Sequence, residues 1–489
     1  MYELITYHLS LMLHKATKRK QMQEIPNTMK KTKIVIAGGG FAGLAAATYL
    51  DKRFARRADI EVVLISRENF ILFTPMLHEV ASGDLSPSDI INPLRRILRH
   101  VKIVQADVQA IDSVRRRVRC SGGVAQHDCE LEFDHLLLAL GSETNFFDVP
   151  GLGDWAVTMK SLTDAALLRN RVIALLEEAN LEDDAAIRRQ LLTFVIAGGG
   201  FSGVETAGAI NDFVREAVAY YPDLSEELIR VVLVHPGQSL LPELGEELGD
   251  YTERKLHQRK VEVIGCVRVA GYDDGSLVRL SDGNSIPAAT LIWTAGVKPS
   301  SVVASLPWKK ERDRVLVNEF LRVPGVSGLW AAGDCAAVPD GTTGKFHPPT
   351  AQHGLRQGLV VAKNIEADIM GRPPIPFVFK TLGQLASIGH RAGVARVFGI
   401  KFSGFIAWCL WRTVYLLKLP RLAKKLRVIS GWMLELLFSR EIEQMITLRD
   451  VEELTRRLMR IRERAEKEVS KPARTGSDPQ APLTLLRGE

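Results

Sequence analysis

Two stretches of this chain have the residue types and spacing to hold a pyrophosphate. Ile34-Val35-Ile36-Ala37-Gly38-Gly39-Gly40-Phe41-Ala42-Gly43 and Phe194-Val195-Ile196-Ala197-Gly198-Gly199-Gly200-Phe201-Ser202-Gly203 are nearly identical and start 160 residues apart. In each, an apolar strand runs into glycines spaced so that the chain turns tightly, brings bare backbone to a pyrophosphate, and packs a helix on the strand it has just left. The anion then rests on unpaired N–H groups at the positive end of that helix. Gly38, Gly40, Phe41, Ala42 and Gly43 are the candidate contacts of one dinucleotide, and Gly198, Gly200, Phe201, Ser202 and Gly203 those of another. One such loop is weak evidence, since glycines also mark ordinary turns. Two in one polypeptide point to electrons moving between two bound dinucleotides.

The surrounding pattern supplies the elements that would position them. Residues 32–65 read as strand, turn, a helix from Leu44 to Phe54, and a strand at Val62–Ile65; residues 193–234 repeat the unit and end in a strand at Val231–Val234. The fold class expected is α/β, with two Rossmann-like dinucleotide-binding domains. Three further apolar strands end in small residues: Leu136–Ser142, which contains Gly141, Leu291–Gly296, and Leu329–Cys335, which stops at Gly333-Asp334. An aspartate buried after such a strand must be hydrogen-bonded, so Asp334 is a candidate cofactor ligand. Glu205 lies two residues past the second loop; a carboxylate in a first helical turn also complements the helix dipole, worth about 0.3–1 kcal/mol.

Composition narrows the function classes. Cys120, Cys129, Cys266, Cys335 and Cys409 stand apart, with no CxxC or CxxxxC spacing, so neither a redox pair nor a metal site is expected, and a reducing, intracellular setting is the simpler reading. Residues 401–440 hold eight Lys or Arg and one acid, Glu435, which accounts for the whole net charge of +7. The basic residues interleave with Leu and Trp, which suits an anionic membrane surface rather than nucleic acid. Residues 402–419 are apolar but contain Arg412 and Lys418 and stop at Pro420. A cation at mid-span costs about 2.5 kcal/mol or more, which argues against a transmembrane helix. Leu422, Leu426, Ile429, Met433 and Leu436 then recur at helical spacing, with Arg421, Lys424 and Arg427 elsewhere, the pattern of a helix lying in the headgroup plane. The rival is a stripe packed on the protein's own core or on a second copy in a homodimer, and Gly431 weakens a single straight helix. Residues 1–28 lack a secretory pattern and read as an extension before a natural start at Met29; residues 465–489 read as a disordered tail.

The order Gly loop, small-residue turn, second Gly loop, second turn, Gly-Asp resembles the two-dinucleotide flavoprotein reductases. That resemblance implies FAD in the first site, NADH or NADPH in the second, and Asp334 on the ribityl chain and pyrophosphate. Within that group, Asn69–Leu77, Pro349–Gly358 and Ser403–Trp411 are similar to segments of the type II NADH:quinone oxidoreductases, the second being their quinone-site motif and the third their membrane-anchoring region. The stretch from Glu79 to Ile91 has no cysteine, which excludes the usual disulfide-reductase chemistry. The resemblance implies hydride transfer from NAD(P)H to FAD and two-electron reduction of a membrane quinone without proton pumping. Glu205 would deliver a proton, Gln352 and Gln357 would bond or polarise the quinone carbonyl, and Ala351 would lie against the cofactor.

Three departures stand out. Arg356 occupies a position where a neutral polar residue is common, and a cation there would stabilise a developing oxyanion. His235 ends the second unit where an acid usually binds the adenosine ribose, so the choice between NADH and NADPH stays open. Ser66 replaces an acid in the first unit, with Arg67 and Glu68 beside it. The expected organisation is an extension at 1–30, an FAD-binding domain from 31–148 and 312–388, an NAD(P)H-binding domain at 149–311, and a membrane-anchoring region at 389–450. The enzyme would sit peripherally on the cytoplasmic face of the cell membrane. Competing readings are a soluble FAD reductase with another acceptor and a non-enzymatic flavin-bearing sensor.

Overall fold

The computed structural model describes residues 31–123, 125–435 and 437–444. The expectations for residues 1–30 and 465–489, and for Leu436, lie outside these residues.

Both glycine strands became the centres of parallel sheets, because a strand buried on both faces needs a continuous apolar run. Thr32–Ala37 pairs with Ile60–Ser66 on one side and His135–Leu138 on the other, and Lys102–Gln105 and Leu329–Ala331 complete the sheet. Thr193–Ala197 pairs with Arg230–Val234 and Thr290–Trp293, flanked by Val261–Ile264 and Val157–Thr158. Four strands thus follow the same order in both sheets, each with its glycine loop at the carboxyl end of the central strand; the fifth comes last in the first sheet (Leu329–Ala331) and first in the second (Val157–Thr158). The α/β fold class holds.

The helices that matter for the site are α1 (Phe41–Arg53), α2 (Leu77–Ala81), α3 (Leu162–Leu181), α4 (Phe201–Ala217), α5 (Ala351–Ile369), α6 (Gly404–Lys418) and α7 (Leu422–Glu435). α1 starts three residues earlier than Leu44, since the glycine loop itself feeds directly into the first turn. α1 and α5 cross at near backbone contact: a Cβ on Gly358 would lie 2.0 Å from the carbonyl oxygen of Ala42. Only hydrogen fits there.

Before α6, an antiparallel sheet of Gly383–Ser387, Gly393–Val397 and Ile400–Ser403 packs on the second domain. α6 then lies inward. Trp411 is fully buried and Trp408 nearly so, which corrects the expectation that the tryptophans face lipid. Arg412, read from the sequence as an obstacle to membrane insertion, is buried between the rings of Trp408 and Trp432 at 4.1 and 4.6 Å and bonds Glu435 Oε2 at 2.7 Å. Arg440 is likewise buried, bonded to Asp84 and to Glu216. Two of the eight cations in this segment therefore join elements of the protein rather than forming a charged surface.

The α7 stripe does face outward: Leu422, Leu426 and Met433 are exposed, while Val428 and Trp432 hold the helix down. Packing of the stripe on the protein's own core is thereby excluded for these three side chains. α7 runs through Gly431 unbroken, against the expectation of a break there, and Gly431 lies against Leu85, 3.4 Å from where a Cβ would stand. Among the described residues no helix is long and apolar enough to cross a membrane. Cys120 and Cys129, expected to stand apart, are partners on adjacent antiparallel strands and form a disulfide.

Gly358→Ala should force α1 and α5 apart and destabilise the protein by about 1–3 kcal/mol, read as a lower midpoint in urea denaturation. An unchanged midpoint would contradict the close crossing.

Candidate active site

The two glycine loops do what their spacing predicts. Gly38 and Gly198 have φ of +114° and +125°, and their N–H groups bond Ile65 and Val234. Gly40 and Gly200 have no atom within 4 Å of a Cβ position, which leaves the mouth of each helix open to a ligand. A Cβ on Gly43 or Gly203 would lie 1.8 Å from the carbonyl oxygen of Gly38 or Gly198, so neither position admits a side chain. Neither α1 nor α4 carries a side-chain cap or a first-turn acid, so the N-terminal N–H groups are available to an anion. The donor set fits a pyrophosphate in both places.

At the edge of the first loop, Ser66 is buried with its Oγ 2.3 Å from a Cβ built on Gly39, and Arg67 is exposed and pairs with Asp107. Gly141 and Gly333 both adopt positive φ and form the turns ahead of Ser142 and Asp334. Asp334 is half-buried rather than buried, and accepts a 2.7 Å bond from Ser142 Oγ, which in turn takes one of 2.6 Å from Lys160 Nζ. Burial lowers the Lys160 pKa. Sequence reasoning missed Lys160; its only signal was a lysine just ahead of the α3 capping box formed by Ser161 and Asp164.

At the N-termini of α4 and α5 lies a cleft of about 440 Å³. Phe201, Ser202, Glu205, Gly296, Ala351 and Gln352 line it, as do Lys160, His78, Tyr415 and Lys418, which the sequence reading had not assigned. It receives the N-termini of α4 and α5 together, the expected outcome when ligands bind at carboxyl ends of parallel strands.

Glu205 is the chemically unusual group. Its Oε1 accepts from the Trp411 indole at 2.9 Å and from the Ser387 N–H at 3.3 Å, and Oε2 is 3.8 Å from His78 Nδ1. Burial raises its pKa to about 8 against the opposing effect of those two bonds, so it holds a proton at neutral pH. His78 is driven the other way, to about 3, by burial and by the nearby Arg412 cation, so it is neutral and cannot supply the charge that would ionise Glu205. Burial and Glu205 both raise the Tyr415 pKa.

Two candidates are turned away from the cleft. Gln357 is buried and its Oε1 accepts the Gly333 N–H at 2.8 Å, fixing the Gly-Asp turn instead of meeting a substrate. Arg356 stacks on Phe379 at 4.1 Å and bonds the Gln352 carbonyl, one turn back along α5. Arg356, four residues after Gln352, shares its face of α5 but sits one turn further along the helix, beyond the cleft lining, whereas Gln357, five residues after, points to another face. Gln352 itself stays at the cleft, with Nε2 3.3 Å from the Gly383 carbonyl. His235 is buried beneath the second loop, its ring against the positions of Gly199 and Gly265, and burial lowers its pKa.

The pyridine nucleotide-disulphide oxidoreductase profile matches residues 32–358, and that of the NDH2 C-terminal domain matches residues 382–441. Type II NADH:quinone oxidoreductase Ndh of Mycobacterium tuberculosis is 30% identical over 87% of this chain and 93% of its own length. The chain belongs to the type II NADH:quinone oxidoreductases. NdhA of the same organism is 32% identical over 82% of the chain and 86% of its own length, and an external alternative NADH-ubiquinone oxidoreductase of Yarrowia lipolytica is 27% identical over 87% and 83%. A solved structure of NDH2 from Plasmodium falciparum in complex with NADH covers 84% of the chain and all of that chain with a TM-score of 0.78 at 21% identity, a likeness of fold. The family's cofactor is FAD, whose anionic pyrophosphate the open mouth of α1 fits.

A charge-assisted hydrogen bond is worth about 1.5–3 kcal/mol. Lys160→Met should therefore weaken FAD binding about tenfold or more, measured by quenching of FAD fluorescence on titration with apoprotein. Equal affinity would remove the Lys160–Ser142–Asp334 chain from the cofactor site.

Proposed function

We propose that this protein oxidises NADH and reduces a membrane quinone at the cleft where α4 and α5 begin, with Glu205 as the proton donor. The observation that carries the reading is a carboxyl buried to the point of holding its proton at neutral pH while lining a cleft onto which the N-termini of α4 and α5 open. FAD supplies the two-electron chemistry that links nicotinamide to quinone; the residues of the chain bind, orient and protonate. The α1 N-terminus with Gly38, Gly40 and Gly43 takes the FAD pyrophosphate, and Asp334, set by Ser142 and Lys160, takes the ribityl side. Gly198, Gly200 and Gly203 take the nicotinamide dinucleotide. Gln352 bonds a quinone carbonyl from the α5 N-terminus, while Gln357 and Arg356 position that helix. Glu205 gives its proton to the quinone oxygen as the oxygen gains charge.

The exposed apolar side chains of α6 and α7, with Phe405, Ile406, Leu422, Leu426 and Met433 among them, support peripheral seating on a lipid surface. The basic residues that remain outside ion pairs, among them Arg421 and Arg427, favour an anionic one. We place that surface at the cytoplasmic face of the cell membrane; a homodimer would compete for the same apolar side chains.

Three experiments test this reading. Quinone reduction should fall as pH rises through about 8, because Glu205 then loses the proton it donates, and Glu205→Gln should lose that alkaline limb along with about 100-fold in rate; a wild-type profile in the variant would contradict the role. Substituting Leu422, Leu426 and Met433 together by Glu should release the protein from anionic phospholipid vesicles in a sedimentation assay, and retained binding would refute the docking face. His235→Glu should lower kcat/KM for NADPH more than for NADH, through repulsion of a 2′-phosphate; equal effects would show that this position does not meet the ribose.

A further inference from the structure

Each turnover of the reaction consumes NADH, quinone and one proton from solution, and yields NAD⁺ and quinol. Once the cleft is filled, the carboxyl that gives up this proton is covered by the very molecules that react. A second connection to solvent is needed, and the interior behind Glu205 offers one.

His78 Nδ1 is 3.8 Å from Glu205 Oε2, and its Nε2 is buried with no partner among the described residues. The neighbouring Glu79 is buried in turn; its Oε2 accepts from Trp432 Nε1 at 3.2 Å and its Oε1 is 4.0 Å from Arg412 Nη2. The same Nη2 bonds Glu435 at 2.7 Å, and the other oxygen of Glu435 is 3.3 Å from His390 Nδ1. Glu435 and His390 line a separate cavity of about 340 Å³ together with Asp212, Arg215, Glu216 and Arg440. His390 and Glu216 are each about one-third exposed there, at 32% and 34%. Arg412 Nε is a second buried nitrogen without a protein partner among the described residues. Polar atoms left in this way inside a protein are ordinarily met by water.

We propose that the titratable side chains from the His390–Glu435 cavity through Glu79 and His78 form the route by which Glu205 regains its proton from solvent. The inference rests on Glu205 as donor. The Glu205 O–H bond breaks as the quinol O–H bond forms. The resulting carboxylate takes the proton on His78 Nδ1, and His78 Nε2 takes one from a water held between it and Glu79, so the imidazole ends neutral. Glu79 passes its carboxyl proton to that water and is recharged from the outer cavity, where His390 and Glu216 meet solvent. Electrons do not move in these steps; two arrive at the quinone from NADH.

Charges facing the line come from every packed element. Arg412 on α6, Arg440 beyond α7, Arg215 at the outer cavity and Arg259, paired with Asp212, are the cations; Asp84, Asp212, Glu216 and Glu435 are the further acids; Tyr415 and Trp411 face Glu205, and Trp432 faces Glu79. Arg412 bonds Glu435 at 2.7 Å and stands 4.0 Å from Glu79, so Glu79 shares its counter-charge with a closer acid. Burial raises the Glu79 pKa well above the ordinary carboxylate range against the pull of Arg412, which favours the protonated form that the route needs. A purely structural lattice would require no such proton.

The test uses Glu79→Gln, which keeps an acceptor for Trp432, and His78→Phe, which keeps a ring against Trp411. Steady-state turnover is measured in H₂O and D₂O from about pH 6 to about pH 9 with a short-chain quinone, which consumes a proton, and with ferricyanide, which consumes none. The quinone-to-ferricyanide rate ratio should fall at least about tenfold in both variants, since proton transfer contributes about 10²–10⁴-fold to such steps. The solvent isotope effect on quinone turnover should rise, and FAD content should match the parent. If Glu79→Gln does not fold, His78→Phe decides. A parental ratio in the folded variants, with Glu205→Gln still impaired, would overturn the route alone. A parental ratio in Glu205→Gln would overturn the donor assignment and the route with it.

Discussion

The bond from the Trp411 indole to the Glu205 carboxyl is the contact on which the remaining features of the site depend. It joins helix α6 to the second turn of α4, at 2.9 Å and out of water. Without α6 as a cover, Glu205 would be a solvated carboxylate, ionised at neutral pH. With α6 in place, desolvation outweighs the two hydrogen bonds to its oxygen and the proton stays. The same helix is held by Arg412, whose guanidinium lies between two indole faces and answers Glu435. Removing one partner of such a buried pair commonly costs about 3–5 kcal/mol, because the other is left charged and dry. The C-terminal segment is thus an integral wall of the cleft as well as a carrier of exposed apolar residues.

Duplication explains the cleft's position. Two parallel sheets that share a four-strand order each direct a glycine loop and an uncapped helix toward a ligand. α5 adds a third helix N-terminus, with Ala351 and Gln352 at the opening, and it reaches the first loop only because Gly358 lets it meet α1. Aromatic contacts then tie the first loop to the C-terminal helix: Phe41 meets Phe73 at 6.2 Å, and Phe73 meets Tyr415 at 6.0 Å.

Much of this was legible in the residues. The glycine spacing specified where bare backbone was needed, and Gly38, Gly40 and Gly43 each meet the demand of their position. The α7 stripe also read correctly as an outward apolar face. What the sequence concealed was the partner of each polar or aromatic side chain. Trp408 and Trp411 have the composition of a membrane belt, yet tertiary packing turned them onto Arg412 and Glu205. Gln357 and Arg356 share a motif with Gln352, but Gln357 points to another face of α5 and Arg356, on the same face, stands one turn beyond the cleft. Lys160, His78 and Glu79 carry no motif at all; their significance arises from neighbours that are distant in the chain, such as Asp334, Glu205 and Arg412. Cys120 and Cys129 became partners through hairpin register, which cysteine spacing alone does not reveal.

The most direct test of the account is anaerobic absorbance spectroscopy of the purified, FAD-loaded protein. NADH should bleach the flavin band near-stoichiometrically, and a lipophilic quinone added next should restore it while quinol forms in equal amount. A band that NADH does not bleach, or that bleaches and stays reduced when quinone is supplied, would contradict electron passage between the two substrates through this cleft.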